Sequence, residues 1–364
     1  MRVRECKSLR YNRFGVSVAN EVSAVRQSGR IHRMSVASHP ETNVGATRVA
    51  NRPAATARAV LISMNPRAGS RWRRDRIQAI EAALSGAGYD VQTTTDLSEL
   101  AALSRQRWKD GDLRVVIAVG GDGTASVVRN HVPLEVPVLP VPTGTENLLG
   151  RYTGQTADPA AVLRTVDEGV TIGLDLGRAN DKHFLLMVSA GFDAEVVRTL
   201  HENRRGNIRR TAYLRPVLRA IRCYGYPEMQ LYLEEGAASS ERPLCCRWLF
   251  GFNFPLYALG LPIAPDAVPS DGLLDVCAFE RGTAWSVVRY LWHVKRGGHR
   301  SLADTSMVRC RRFRLEAANS PNIAYQLDGD LGGVLPVDVE MIPGELRLLV
   351  SRETAGRLGF VVRC

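Results

Sequence analysis

The chain has 364 residues, 45% hydrophobic and 23% charged, with 32 Gly and 18 Pro. This suffices for two ordinary domains and excludes wholesale disorder, collagen and coiled coil, and no apolar run reaches the roughly 18 residues of a membrane-spanning helix. The net charge of +11 is uneven: residues 1–58 hold 11 Arg/Lys against 3 Glu, whereas residues 59–364 hold 37 basic against 34 acidic residues. With the excess in one tail and no recognition motif, nucleic acid is not an expected partner. Arg outnumbers Lys 44 to 4 along the whole chain, which is a compositional bias and not a local patch.

Residues 1–58 lack hydrophobic periodicity and carry few acids. They read as a disordered basic arm or an over-extended start, with Met34 as an internal alternative; a transit peptide is the third reading. Order is expected from Ala59. The run 59–64 reads as a buried strand ended by Asn65-Pro66, and Ile77, Ile80 and Leu84 share one face of a helix over 73–86. A strand at 89–94, a helix at 97–109 and a strong buried strand at 113–119 follow. The last runs into Gly120-Gly121-Asp122-Gly123-Thr124 and a short helix. A strand at 138–141, a helix opened by Gly144-Thr145 and a helix at 158–168 complete an open α/β sheet of parallel units over 59–170.

Near residue 170 the period changes to two: Val170, Ile172, Leu174 and Leu176 alternate with Thr171, Gly173, Asp175 and Gly177. Strands are then expected at 183–190, 228–233, 244–254, 272–279, 307–315, 323–327, 337–342 and 345–350, with helices at 207–223 and 284–296. This predicts an antiparallel β-sandwich over 171–350, and a tail over 351–364. The cysteines Cys6, Cys223, Cys245, Cys246, Cys277, Cys310 and Cys364 include no CxxC pair and read as reduced, buried thiols. The seven His form no cluster, so no zinc site is expected.

Chemistry is expected at the carboxyl edge of the parallel sheet. In Gly120–Thr124 the glycines let backbone amides approach phosphate oxygens, and the next helix contributes its positive end. Asp122 can reach a metal or a phosphate-bound water, and Thr124 can donate a hydroxyl. Two more loops share that edge: Asn65-Pro66-Arg67-Ala68-Gly69-Ser70 and Pro142-Thr143-Gly144-Thr145-Glu146-Asn147. Each alone is ordinary turn chemistry; three together are not.

NPRAGS, GGDGT and GTEN, in this order and spacing, resemble the diacylglycerol-kinase catalytic-domain family, which includes bacterial lipid kinases and sphingosine kinases. Gly191-Phe192-Asp193-Ala194, Pro265-Asp266-Ala267 leading to Asp271-Gly272, and Asp328-Gly329-Asp330 extend the resemblance across about 59–350. It implies an α/β nucleotide domain followed by a β-sandwich, with the active site in the cleft between them. It implies an ATP- and Mg²⁺-dependent lipid kinase acting on a hydroxyl of diacylglycerol, a sphingoid base or a related lipid. Asn65, Arg67, Gly69 and Ser70 would hold phosphates. Gly120, Gly121, Asp122, Gly123 and Thr124 would line the triphosphate, and Gly144, Thr145 and Asn147 would complete the nucleotide pocket. Asp122, Asp175, Asp330 and, as a weaker transfer, Asp271 would serve metal ions. Asp328 would be the general base, although Asp328-Gly329 on its own reads as a hairpin turn.

Leu148 stands where the family often has Asp, Asp330 where it has Glu, and Tyr257–Leu261 where it tends to have glycines. A lipid substrate also needs a docking surface. Arg215, Arg219 and Arg222 fall along one side of the helix expected at 207–223, with Leu214, Leu218 and Ile221 on another; this suits anionic headgroups or is a solvated helix face packed on the sandwich. Tyr290 and Trp292 read first as core. The resemblance thus implies a cytoplasmic protein at a peripheral membrane surface, and a homo-oligomer is compatible with the sequence. Two other readings stay open: an NAD kinase-like enzyme, whose family shares a GGDGT loop, and a catalytically weak nucleotide- or lipid-binding module.

Overall fold

The computed structural model describes residues 48–64, 71–202, 214–234, 243–257, 260–320 and 322–362. Asn65, Arg67, Gly69 and Ser70 lie outside the described residues, as do 203–213 of the arginine-rich stretch.

The described chain opens with β1 (Val49–Ala50) and β2 (Ala59–Met64). There follow α1 (Arg71–Gly86), β3 (Asp90–Thr94), α2 (Leu97–Lys109), β4 (Leu113–Gly120), α3 (Asp122–Arg129) and β5 (Val138–Pro142). The four strands from β2 to β5 are parallel, in the order β3-β2-β4-β5. Every residue of β4 is buried, because helices cover both faces of the sheet. Ile77, Ile80 and Leu84 of α1 pack on one face against Val60, Ile62, Val115, Ile117 and Val119. Leu100 of α2, with Ala125 and Val128 of α3, packs on the other against Leu61, Val116 and Ala118. Helix α2 runs over 97–109 as expected, since Asp96 caps it by accepting from the Ser98 and Glu99 amides. The chain order reverses between β2 and β4, so the loops after them form the crevice where such sheets bind ligands.

Helices α4 (Leu148–Tyr152) and α5 (Pro159–Glu168) lead to β6 (Val170–Ala179), β7 (Lys182–Phe184) and β8 (Met187–Gly191). Then come α6 (Phe192–Glu202), α7 (Leu214–Cys223), β9 (Met229–Glu234), β10 (Leu244–Cys246), β11 (Trp248–Phe252), β12 (Leu274–Phe279) and α8 (Ala284–Lys295). The chain continues through β13 (Thr305–Cys310), β14 (Arg312–Ala317), β15 (Ala324–Leu327), β16 (Asp330–Val334), β17 (Val337–Val350), α9 (Arg352–Arg357) and β18 (Val361–Val362).

A six-stranded antiparallel sheet, β13-β12-β11-β8-β15-β16, faces β9, β14 and β17 of the larger sheet. Between them lie Val188, Leu249, Val276, Phe313, Leu315, Tyr325 and Val339. The fold is thus α/β followed by a β-sandwich. The expected break near residue 170 is bridged, however. Strand β17 is one long strand, pairing with β14 and β6 along its length and with β5 at Leu348↔Val138, so the parallel sheet runs on into the sandwich.

The tails also differ from expectation. Residues 48–58 are not structureless, and 351–362 is not a simple tail: β1 pairs in parallel with β18, Asn51 bridges to Thr171, and Ala50 is fully buried. The helix after Gly144-Thr145 starts only at Leu148, because Asn147 takes a left-handed backbone with φ 50°. Cys246, Cys277 and Cys310 are buried, while Cys223 and Cys245 are exposed.

Candidate functional site

Two glycine loops meet at the carboxyl ends of β4 and β5. The Thr143 amide donates to the Gly120 carbonyl at 2.9 Å, extending the strand pairing into the loops. Beyond it the chains pass backbone against backbone: a Cβ on Gly144 would lie 2.6 Å from the Gly121 Cα and 3.0 Å from its nitrogen. Only glycine fits, and without side chains here a ligand can approach the backbone of the two loops. Asn147 pins the second loop. Its side-chain oxygen accepts from the Gly144 amide and its Nδ2 donates to the Gly144 carbonyl, both at 2.9 Å.

Asp122 opens α3 from the N-cap Gly121. Its two oxygens accept from the Leu148 amide at 2.8 Å and the Leu149 amide at 2.9 Å, so one carboxylate ties GGDGT to the first turn of α4. Burial raises its pKa, the two amides oppose this, and nearby Glu146 adds to the rise. Leu148 therefore contributes its amide, while its side chain is buried in the core. Thr124 turns back on Gly120, where a Cβ would collide with its side chain.

The third component comes from the sandwich. Strands β15 and β16 are joined by the two-residue turn Asp328-Gly329, with φ of 52° and 88°. Both central residues have positive φ, as in the turn that suits the strand twist. The Asp328 carboxylate accepts from the Leu185 amide at 2.7 Å, Leu186 at 2.8 Å and Met187 at 3.1 Å, and from the Ser126 hydroxyl of α3. Burial outweighs these bonds and pushes its pKa up to about 6. Two residues on, the Asp330 carboxylate reaches the nucleotide-side loop: a Cβ on Gly123 would lie 3.1 Å from its Oδ2. The turn read on its own as a hairpin is a hairpin, and it also spans both parts of the fold.

Behind the turn lies a polar network that the sequence did not disclose. Gln326 accepts from the Gly329 amide at 2.7 Å and donates to Ser189 Oγ at 2.9 Å and to Asp193 at 3.2 Å. Ser189 and Tyr257 donate to Asp193 at 2.6 and 2.7 Å. Burial raises the pKa of Asp193 against these three donors. Asp193 belongs to the GFDA segment, which flagged it without a role; nothing marked Ser126 or Gln326.

Asp175 and Asp271 are engaged elsewhere. The buried Asp175 accepts from the Gly272 amide at 2.7 Å and the Gly344 amide at 3.1 Å, fastening the 269–272 loop to β17. Asp271 is paired with Arg309 and accepts from the Leu273 amide at 3.0 Å. Among the described residues, no three His, Cys, Asp or Glu gather as a metal site. A Mg²⁺ ion that arrives with a nucleotide needs less, one or two carboxylates beside the phosphates. Asp330 over Gly123 supplies one such carboxylate, whereas both oxygens of Asp122 are taken by the Leu148 and Leu149 amides.

A parallel α/β sheet with two facing glycine loops, overhung by an acidic turn from a β-sandwich, is the architecture of a nucleotide-using kinase. Residues 59–179 match the diacylglycerol kinase catalytic domain, and residues 186–350 match the YegS C-terminal NAD kinase beta sandwich-like domain. The chain belongs to the diacylglycerol kinase catalytic-domain family. Among its relatives, a diacylglycerol kinase of Mycobacterium tuberculosis is 29% identical over 245 residues, 65% of this chain and 77% of that one. A diacylglycerol kinase of Bacillus subtilis is 24% identical over 308 residues, 82% of this chain and 98% of that one. A crystal structure of a diacylglycerol kinase from Bacillus anthracis shares the fold with a TM-score of 0.56 at 17% identity, over 82% of this chain and 98% of that one.

Proposed function

We propose that this protein transfers the γ-phosphoryl group of ATP to a hydroxyl of a lipid, either diacylglycerol, a sphingoid base or a related alcohol. The observation that carries the reading is the approach of Asp330 to Gly123, which brings an acidic turn of the sandwich to a phosphate-compatible loop. The names of the relatives that align across both segments support the lipid as acceptor.

In this reading the open backbone of Gly120–Gly123 faces the phosphate oxygens, helped by the positive end of α3. Asp330 would hold Mg²⁺, which would neutralise charge on the transferring group, while Asp122 keeps the glycine loop fastened to α4. Asp328 takes the proton of the acceptor hydroxyl as its oxygen bonds to phosphorus and ADP departs. A pKa raised to about 6 leaves Asp328 ionised yet basic at neutral pH. A hydroxyl already donates to this carboxylate, that of Ser126, and the acceptor alcohol would take over that bond in its place.

The reading is tested by ADP release from ATP and Mg²⁺ in the presence of detergent-dispersed diacylglycerol, sphingoid base or NAD. Release stimulated by a lipid is expected; stimulation by NAD alone would overturn the acceptor. A second expectation concerns Ser126. Its bond lowers the pKa of Asp328, so Ser126→Ala should move the acidic limb of the kcat–pH profile upward from about 6. An unmoved limb would separate Asp328 from that limb.

A further inference from the structure

Helix α8 is apolar on two faces. Its inner face, Val287, Tyr290 and Val294, is buried in the core, with Tyr290 against Phe279. Its outer face repeats the pattern: Trp285 is 75% exposed, Val288 46% and Trp292 53%. Spaced three and four residues apart, these side chains form one stripe. A surface helix ordinarily has polar residues there.

The charge around the stripe has one sign. Residues 281–303 contain Arg281, Arg289, Lys295, Arg296 and Arg300 and no acidic residue. Asp304 pairs with both Arg281 and Arg289, and Asp266 pairs with Arg300. Lys295 and Arg296 have no carboxylate partner among the described residues. Instead the Arg296 guanidinium lies 3.8 Å over the Trp292 ring, at the end of the exposed stripe. Helix α7 packs beside α8 and exposes Arg219 and Arg222, within a stretch, 203–227, that has seven arginines and no acid.

We infer that the Trp285–Val288–Trp292 face of α8 docks on an anionic phospholipid bilayer, the indoles entering the headgroup boundary while Lys295, Arg296 and the α7 arginines meet the anionic headgroups. Indole rings prefer that boundary, and an apolar stripe with unopposed cations at its end and on the neighbouring helix matches an anionic interface. An ordinary protein-binding face would carry mixed charge at its rim. The inference rests on the lipid-kinase reading only for its purpose, which is to bring the enzyme to a membrane-borne acceptor.

The test is co-sedimentation of the full chain with sucrose-loaded vesicles of phosphatidylcholine, with and without phosphatidylserine, in the absence of nucleotide. The wild-type chain is expected to sediment with the phosphatidylserine vesicles. Trp285→Ser/Trp292→Ser should bind about tenfold more weakly or worse. Lys295→Gln/Arg296→Gln should lose about fivefold per cation, and chiefly at low salt. All four side chains lie on the outer face or at its end, and an unchanged melting temperature will show that each variant is folded. Wild-type vesicle binding that the tryptophan variant retains in full would overturn the assignment. So would a dimer in light scattering that becomes monomer in that variant while vesicle binding is absent, since the face would then belong to a second copy. Phosphorylation of a water-soluble short-chain acceptor separates the two proposals. Transfer without vesicle binding removes the docking face alone, and vesicle binding without transfer to any lipid removes the kinase reading alone.

Discussion

Asp328→Asn is expected to lower kcat by about 10²–10⁴-fold, the usual contribution of a positioned general base, with ATP affinity changed only a few-fold. The affinity is spared because the Asp328 carboxylate bonds to the 185–187 amides and Ser126, not to the glycine loops. The fold should survive. Asn can still accept from two of the amides, and the Leu185 amide, left facing an NH₂ group, costs about 1–3 kcal/mol. Activity of the wild type should fall as pH drops through about 6, and the residual activity of the variant should lack that limb. The sign for stability is opposite. A carboxyl whose folded pKa lies above its ordinary 3.8 contributes stability at low pH that is lost as pH rises towards about 6. Near-normal turnover of a folded Asp328→Asn protein would remove Asp328 as the base.

The second large effect is expected at Gly144. The added methyl of Gly144→Ala would meet Gly121 backbone at 2.6 and 3.0 Å and Asn147 Oδ1 at 2.9 Å. Backbone cannot rotate away as a side chain can, so the two loops must part. Forced overpacking costs about 1–3 kcal/mol. A displacement of about 1 Å in a group that positions substrate costs roughly 10²-fold in kcat/KM. ATP titration and steady-state kinetics should therefore both suffer, unlike in Asp328→Asn. Gly86→Ala at the end of α1 is the control: a methyl there meets nothing within 4 Å, and neither quantity should change. Unaltered ATP affinity in Gly144→Ala would mean that the nucleotide does not use this pair of loops.

The parallel half of the fold was legible because its signals are local. The run LRVVIAV is apolar throughout, and Asp96 marks the start of α2 by its own hydrogen bonds. What stayed hidden depends on distant partners. Strands β1 and β18, two residues each, have no periodicity and exist because they pair with one another. Helix α6 fell between an expected strand and an arginine-rich stretch, although Asp193 and Glu195 mark its first turn. Strand β17 was expected as two strands because Pro343-Gly344 interrupts its period, whereas the pairing with β6 passes through an irregularity between Ile342 and Leu346.

The site divides the same way. Glycine loops carry their constraint in their own residues, so Gly120, Gly121 and Gly144 could be singled out from the sequence. The partners of the acids could not. Asp122, Asp175 and, as the weaker transfer, Asp271 were all metal candidates, yet Asp122 binds the amides that open α4, Asp175 fastens β17, and Asp271 pairs with Arg309. Ser126 and Gln326 carry no motif and matter only because the fold delivers them to the turn at Asp328.

The most direct test of the central claim follows the phosphorus itself. Wild-type protein is given γ-labelled ATP and Mg²⁺ with vesicles containing diacylglycerol or a sphingoid base, and the organic extract is separated and counted. The account predicts label on one lipid class, lowered about 10²–10⁴-fold in Asp328→Asn. Label on NAD with none in the organic phase would contradict the lipid acceptor, and ATP binding without transfer to any acceptor would contradict the kinase itself.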